Sequence, residues 1–365
     1  MPDFDIANLR TLSRAISQVE NGTGDYQELV RDSYARQNRP TVVGVTGPPG
    51  AGKSTLVDAL AALWGADGSG IAILAIDPSS PFSGGAVLGD RIRMDRSDHL
   101  ENVYFRSLSA RGHVGGLNEA TCDIIALLGG FGFERILLET VGAGQSDIEV
   151  AGMADCTVVV AVPGLGDSVQ ALKAGIMEIG DVYAVNKSDL PGAETTRQQM
   201  EGMISVAYAA QGDSGSMHAS SLPPSTPGVR ALMRRHGDAR TEPSVWRPPV
   251  LAVSAVADQG IKELGAGIDG FIEWCAQTDR LRHKRTLRVR DQLLRLITRR
   301  VLQPYRHDDG EDGDAIPAAL ASWVDAIVSG NAAPDDAVEA ILSEQPAARP
   351  PSTLDQDNGV GLVQE

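Results

Sequence analysis

Cysteine is scarce in this 365-residue chain, and so are aromatic side chains, which make up 4% of the residues. The three cysteines, Cys122, Cys156 and Cys275, lie far apart, so they form neither a C-x-x-C metal pair nor an even disulfide framework. No apolar run approaches the ~18 residues of a membrane span, and the first ten residues lack the layout of a signal peptide. These absences predict a soluble cytoplasmic protein with no membrane partner.

Basic residues are also in the minority. The 32 Lys and Arg face 48 Asp and Glu, which leaves a formal net charge of −16. A chain this acidic would repel a polyphosphate backbone, so we expect no nucleic-acid partner. Lys and Arg do cluster locally between Arg280 and Arg300, where leucines recur at helical spacing. A helix with a buried apolar face and a solvated basic face explains this pattern, and a partner-binding surface is the alternative.

Short apolar runs are abundant and alternate with helical patterns. Continuous apolar strands that alternate with helices are typical of a mostly parallel sheet covered on both faces. The sequence therefore predicts an α/β fold with a doubly wound sheet. Seven runs are the predicted strands: Thr41–Val45, Ile71–Ile76, Val103–Phe105, Arg135–Leu138, Thr157–Val162, Val182–Val185 and Val250–Val253.

The strongest local signal is a phosphate-binding motif. It follows the first predicted strand and fits G-x-x-x-x-G-K-[ST], the pattern of a P-loop that opens a helix. Its glycines let backbone N–H groups face phosphate oxygens, its lysine reaches the β and γ phosphates, and its serine hydroxyl ligates Mg²⁺. The predicted phosphate-binding residues are Gly47, Pro48, Pro49, Gly50, Ala51, Gly52, Lys53, Ser54 and Thr55.

A second segment has the pattern that reads a guanine base. Asn186, Lys187 and Asp189 form an N-K-x-D sequence directly after the strand Val182–Val185. The carboxylate can accept two hydrogen bonds from guanine N1 and its amino group, a donor pair that adenine lacks. After the last strand, Ser254-Ala255-Val256 resembles the loop in which an alanine N–H faces the guanine oxygen. Alone, either segment could be a surface turn.

Three acidic residues lie at predicted strand ends, where a doubly wound fold places its ligand crevice. Asp77 and Glu139 end two strands, and Asp90 lies in a glycine-rich segment. Their carboxylates could hold Mg²⁺ directly or through its waters, although solvated loop acids are the alternative for Asp90. Gln145 is the candidate for orienting an attacking water, because Ala143 takes the place after Gly142 where Ras-like proteins carry glutamine.

Taken together, these motifs resemble one family, the MeaB/ArgK-type GTPases that include the methylmalonic aciduria type A protein. The matching stretches are GPPGAGKST, AIDPSSPFSGGAVLGDRIRM, SARGHVGGL, ETVGAGQS, PGLGDSVQALKAGIMEI and NKSDL. The resemblance implies bound GTP or GDP with Mg²⁺, a metal shell of Ser54, Asp77, Asp90 and Glu139, and catalysis by Lys53, Glu139 and Gln145. It also implies a third switch carrying Asp167, Gln170 and Lys173, a segment that could otherwise be an ordinary glycine-rich loop.

The same resemblance implies a biological role and an organisation. The role is to deliver adenosylcobalamin to, and protect, a methylmalonyl-CoA mutase or related acyl-CoA mutase, with an adenosyltransferase as a further candidate partner. Hydrolysis would be slow without the partner, and the protein would be a homodimer. We expect a helical N-terminal extension at 1–38, a GTPase domain at 39–278 with a flexible loop at 211–249, a helical dimerisation region at 279–345 and a disordered tail at 346–365.

Two other functions fit a P-loop protein. A nickel-enzyme maturation GTPase would normally carry His-rich or Cys/His clusters, whereas the six histidines here are scattered. A kinase of the arginine/ornithine transport type would need an acceptor-orienting base and a substrate pocket, and no segment indicates either. Binding of Ni²⁺ at a defined stoichiometry, or transfer of the γ-phosphate to an acceptor other than water, would distinguish them.

Overall fold

The structure, a computed structural model, describes residues 8–36, 38–78, 96–110, 116–140, 145–164, 179–213, 246–302 and 318–328, together with residues 334 and 341. The chain divides into two compact units, residues 1–296 and 297–365. The domain bounds expected from the sequence, with a division at residue 278, stay a prediction.

Seven strands and nine helices are present in these ranges. The strands are β1 (Thr41–Thr46), β2 (Ile71–Pro78), β3 (Val103–Ala110), β4 (Arg135–Thr140), β5 (Cys156–Ala161), β6 (Val182–Val185) and β7 (Val250–Ala252). The helices are α1 (Leu9–Asn21), α2 (Tyr26–Ala35), α3 (Lys53–Gly65), α4 (Gly116–Gly130), α5 (Gln145–Met153), α6 (Ala193–Asp213), α7 (Ile261–Gln277), α8 (Arg280–Leu302) and α9 (Ala318–Val328).

The strands form one sheet in the order β3-β2-β4-β1-β5-β6-β7. Every pairing in it is parallel, which confirms the predicted α/β fold. Strands β2, β3 and β4 lie on one side of β1, with β4 next to it, and β5, β6 and β7 lie on the other side, so the carboxyl edge beside β1 is a topological switch point. Ligands of open α/β sheets bind at this position.

Helices cover both faces because alternate side chains of each strand point to opposite sides. Val43 and Val45 of β1 pack into a core shared with α3 and α7, whereas Val42 packs into a second core with α1, α4 and α5. A third cluster joins β5 and β6 to α6. Burial on both faces explains why the strands read as continuous apolar runs.

The N-terminal helices belong to the first unit and cover part of this sheet. Asn8 caps α1 by accepting a hydrogen bond from Thr11 N–H, and Gly22 ends it in a left-handed conformation with φ 63°. Leu12 and Ile16 are fully buried in the second core. The helical N-terminal extension expected from the sequence therefore begins with a helix that ends at Asn21.

Helix α8 is oriented differently from the main sequence expectation. Its basic residues Lys284, Arg285 and Arg288 turn towards the amino edge of the sheet, where they contact Asp155 and Asp181. Leu293 and Leu294, expected on the buried face, are 53% and 55% exposed. The expectation of a solvated basic face was wrong for this part of the helix, because buried carboxylates lie opposite it.

Two other expectations differ in extent. Helix α6 continues to Asp213, so the segment expected to be a loop from residue 211 begins as helix, and residues 214–245 lie outside the described residues. Strand β3 runs to Ala110, beyond the predicted Phe105, because it pairs with β2 along its whole length. None of the helices within the described ranges is long and apolar enough to cross a membrane.

Candidate nucleotide-binding site

The phosphate motif forms the turn between β1 and α3. Gly47 has φ 146°, and a Cβ there would lie 2.3 Å from the carbonyl oxygen of Val160 in β5. Gly52, with φ 79°, caps α3, and a Cβ there would meet the Asn186 amide at 2.6 Å. Glycine is therefore required at both positions. The turn leaves the amino terminus of α3, which carries a partial positive charge, directed at the carboxyl edge of the sheet.

Lys53 lies folded against this turn. Its Nζ donates hydrogen bonds to the carbonyl oxygens of Gly47, at 2.8 Å, and Pro48, at 3.1 Å. Burial lowers the pKa of Lys53, and the carboxylates of Glu139 and Asp147 oppose that shift. The two carboxylates therefore favour the charged ammonium group that burial disfavours.

Ser54 and Glu139 form an oxygen-rich pair beside Lys53. The Ser54 hydroxyl donates a 2.5 Å hydrogen bond to Glu139 Oε1, and Glu139 is buried at the end of β4. A hydroxyl and a carboxylate are hard oxygen donors of the kind Mg²⁺ prefers, so this pair fits the metal. Asp77 is the last residue but one of β2, and nothing is described of its side chain. Asp90 lies outside the described residues altogether.

A further buried acid near the phosphate end was not expected from the sequence. Asp147, in the first turn of α5, accepts a 2.7 Å hydrogen bond from the Thr140 hydroxyl, and both side chains are buried. This contact joins the end of β4 to the start of α5 on either side of residues 141–144, which lie outside the described part of the chain. No motif marks Asp147, although its position two residues after Gln145 could have suggested it. Gln145 begins α5, but its side chain is not described.

The predicted base-reading segment follows β6 and contacts the phosphate loop. Asn186 is buried and donates through Nδ2 to the Ala51 carbonyl oxygen at 2.8 Å. Lys187, in a left-handed conformation with φ 58°, donates to the Gly50 carbonyl oxygen at 3.0 Å. This backbone conformation, uncommon outside glycine, lets consecutive side chains reach one loop. Asn186 and Lys187 therefore tie the two ends of the site together.

Asp189 completes that segment and is exposed in the crevice. Its Oδ1 accepts a 2.6 Å hydrogen bond from the Ser254 hydroxyl, which lowers the pKa of Asp189. The ionised carboxylate can accept two hydrogen bonds from a planar donor pair, as the sequence analysis expected.

The loop after β7 differs in one detail from its expected geometry. The Ala255 N–H, assigned from sequence to the guanine oxygen, donates instead to Asn186 Oδ1 at 3.1 Å. Asn186 can reach both the phosphate loop and this loop because its amide presents a donor and an acceptor together. Val256, also expected at the base, is 82% exposed.

The structure therefore brings together Lys53, Ser54, Glu139, Asn186, Asp189 and Ser254 at the carboxyl edge of the sheet. The predicted third-switch residues Asp167, Gln170 and Lys173 lie outside the described residues. Within the described ranges, no group of three or more His, Cys, Asp and Glu side chains could hold a metal ion.

Comparisons with known proteins show which family the chain resembles. A family model described as "Methylmalonyl Co-A mutase-associated GTPase MeaB" matches residues 12–309. The chain is 38% identical over 289 residues to "Putative GTPase PYRAB02490" of Pyrococcus abyssi, covering 79% of this chain and 80% of that protein. It is 34% identical over 281 residues to the "Methylmalonic aciduria type A homolog, mitochondrial" of Mus musculus, covering 76% and 61%.

One solved structure shares the fold. The crystal structure of an "LAO/AO transport system kinase" superimposes with a TM-score of 0.57 and 22% identity, covering 92% of this chain and 93% of that one. At this sequence identity the similarity shows the fold alone.

Proposed function

Because this chain belongs to the MeaB family of methylmalonyl-CoA mutase-associated GTPases, we propose that it binds GTP at the carboxyl edge of its sheet and uses the nucleotide to regulate a cobalamin-dependent acyl-CoA mutase. The observation that carries the proposal is a direct contact between the two segments: Asn186 donates to the Ala51 carbonyl oxygen, which links the end of the site that holds Lys53 to the end that holds Asp189. One end suits phosphates and the other suits guanine.

Each residue would have a separate task at the bound nucleotide. Lys53 would exchange its two carbonyl partners for β and γ phosphate oxygens, where its cation offsets negative charge. Ser54 and Glu139 would hold Mg²⁺, which would offset the negative charge of the phosphates. Asp77 and Asp90 are further proposed ligands of this ion. Calorimetric titration of GTP with and without Mg²⁺ tests that role, and equal affinities would contradict it.

Hydrolysis is proposed to be slow in the isolated protein. In Ras-like proteins a glutamine positions the attacking water, and here Gln145 is the proposed counterpart with Lys53 and Glu139 supporting the phosphate end. A partner that orders the segments around the γ-phosphate would raise the rate. Turnover of many GTP per second by the purified protein would contradict this proposal, and labelled γ-phosphate on an acceptor other than water would favour a kinase.

The proposed partner is the mutase itself, with the adenosyltransferase that supplies its cofactor as a further candidate. The protein would gate adenosylcobalamin delivery and protect the mutase, with Asp167, Gln170 and Lys173 coupling nucleotide state to mutase affinity. The description of the matching family and the similarity to the methylmalonic aciduria type A homolog support this role. Differential affinity of the two nucleotide states for the partner is what such control requires.

A pull-down from the source cell tests the partner. Protein loaded with a non-hydrolysable GTP analogue should recover a cobalamin-dependent acyl-CoA mutase, at least several-fold more than protein loaded with GDP. An Asp189→Asn variant is the matched control, because it should fail to take up the analogue while keeping the same surface elsewhere. Recovery of equal amounts of mutase with the GTP analogue and with GDP, or of no such mutase, would count against the proposed role.

We also propose that α8 contributes to a homodimer. Val289, Leu293 and Leu296 follow each other at helical spacing on this helix and are all exposed. Leu293→Asp should weaken self-association, because a carboxylate placed in an apolar interface loses its hydration. Sedimentation at micromolar concentration should show a dimer for the wild type and more monomer for the variant, with the exposed Arg290→Ala as control. A monomeric wild type would refute the dimer.

A further inference from the structure

Arg96 makes a contact that the proposed chemistry does not require. It follows directly on residues 79–95, which include Asp90, and its side chain reaches the loop after β7. Nη1 donates to Asp258 Oδ1 at 2.7 Å, and Nη2 donates to the Val256 carbonyl oxygen at 3.0 Å. A guanidinium suits such a double contact because its donors are held in a rigid planar fork.

The backbone beside this side chain is anchored to the phosphate end of the site. Asp58, buried in α3, accepts hydrogen bonds from Arg96 N–H at 2.9 Å, from Ser97 N–H at 2.9 Å and from the Ser97 hydroxyl at 2.6 Å. A buried carboxylate with three donors is held firmly in place. Arg96 is thereby fixed to the helix whose first residues are Lys53 and Ser54.

The loop that Arg96 contacts is the one beside the base-reading segment. Its beginning is held by Asn186, which accepts from Ala255 N–H, and by Ser254, which donates to Asp189. Its far end turns at Asp258, where φ is 59°. Arg96 therefore contacts Val256 and Asp258 in the second half of this loop, whereas Ser254 and Ala255 in its first half belong to the proposed guanine site.

We propose that Arg96 is a positioning residue for nucleotide release, which holds the loop 254–258 in place beside the proposed base site and joins it to α3 through Asp58. The inference rests on the proposed function. Because Asp258 is 72% exposed, the ion pair itself adds little to the stability of the fold. Its effect lies in restraining a surface loop, and loops of this kind commonly govern the rate of product release.

The test is the dissociation rate of a fluorescent GDP analogue in the presence of Mg²⁺. Arg96→Ala should release it about 3- to 10-fold faster, because freeing a loop at a site acts mainly on the off-rate. Arg197→Ala is the matched control: Arg197 is 29% exposed against 30% for Arg96, and it is also ion-paired, with Glu194 on α6. The control should release at the wild-type rate.

Two further variants separate positioning from a general structural role. Arg96→Lys keeps the charge but not the fork, so its rate should lie between those of the wild type and Arg96→Ala. Asp258→Asn retains a residue that tolerates φ > 0 and should accelerate release about twofold, with no additional effect on top of Arg96→Ala. The urea midpoint of Arg96→Ala without nucleotide should equal that of the wild type.

The release experiment separates failure of the Arg96 role from failure of the proposed function. A wild type that binds no GDP would refute the guanine site itself. A wild type that binds GDP while Arg96→Ala releases it at the same rate would overturn only the role of Arg96. Faster release accompanied by a lowered urea midpoint, or additive with Asp258→Asn, would also overturn it, because the effect would then come from the fold and not from the loop contact.

Discussion

Asp189→Asn should lower the affinity for GTP about 10²- to 10⁴-fold and create measurable affinity for xanthosine triphosphate. The carboxylate can accept both donors on the guanine edge, whereas an amide offers one acceptor and one donor. Its NH₂ group would then face the guanine amino group, donor against donor. Sites built around paired hydrogen bonds discriminate by factors of this size because an unmatched partner leaves polar groups unsatisfied.

Xanthine has the complementary pattern, because a carbonyl oxygen stands where guanine carries its amino group. Titration calorimetry with GTP, ATP and xanthosine triphosphate in the presence of Mg²⁺ measures the change. Ser188→Ala is the control, since Ser188 lies in the same turn and contacts Val253 through its backbone N–H. A variant that binds GTP as tightly as the wild type, or a wild type that holds ATP as tightly as GTP, would refute the assignment of Asp189.

Asp155→Ala should destabilise the first unit by about 3 to 5 kcal/mol, the typical cost of breaking a buried ion pair by removing one partner. Asp155 is fully buried at the amino end of β5 and accepts from Arg285 at 2.9 Å, from Arg288 at 2.9 Å and from the Val42 N–H at 3.0 Å. Its loss would leave two guanidiniums beside the sheet without their carboxylate.

Urea denaturation followed by circular dichroism measures this effect. Asp269→Ala is the matched control, because Asp269 is ion-paired with Arg135 but is 46% exposed, so its loss should change stability by at most about 1 kcal/mol. Asp155→Asn should be intermediate, since an amide can still accept from Val42 but carries no charge. If Asp155→Ala were no less stable than Asp269→Ala, the basic face of α8 would not be an anchor.

The pH dependence of the stability difference between the wild type and Asp155→Ala provides a second check. Burial would raise the pKa of Asp155, but Arg288, Arg285 and the Val42 N–H hold it below its ordinary value. A carboxylate with a lowered folded pKa stabilises the fold above its unfolded pKa, and this contribution is lost as the pH falls through the folded value. The difference between wild type and Asp155→Ala should therefore stay constant from pH 5 to 8 and shrink below about pH 4.

The proposed nucleotide site and the ion pairs of α8 lie at opposite edges of one sheet. The nucleotide crevice lies at the carboxyl ends of β1, β4 and β6, whereas α8 is held at the amino ends of β5 and β6 through Asp155 and Asp181. Helix α8 then continues into the second unit. Removal of the Asp155 carboxylate should thus lower the stability of the fold without changing the contacts of the proposed guanine site.

Local sequence was sufficient to predict the strands and the parallel sheet, and to place the two proposed nucleotide-binding segments at one edge of it. Gly47 to Ser54 and Asn186 to Asp189 are continuous segments, and each follows a strand directly, so chain connectivity places them at one edge of a parallel sheet. The apolar runs identified the strands because burial on both faces leaves a continuous signal.

Contacts between residues far apart in the chain required the folded protein. Asp58 and Arg96 are 38 residues apart, Arg96 and Asp258 are 162 apart, and Asp155 and Arg288 are 133 apart. A helical pattern of basic and apolar residues is the same whichever face turns inwards, so the orientation of α8 depended on the buried carboxylates of Asp155 and Asp181, which lie just before β5 and β6. The preference of the Ala255 N–H for Asn186 has the same origin, because spacing within a loop does not specify which side chain of another loop lies opposite it.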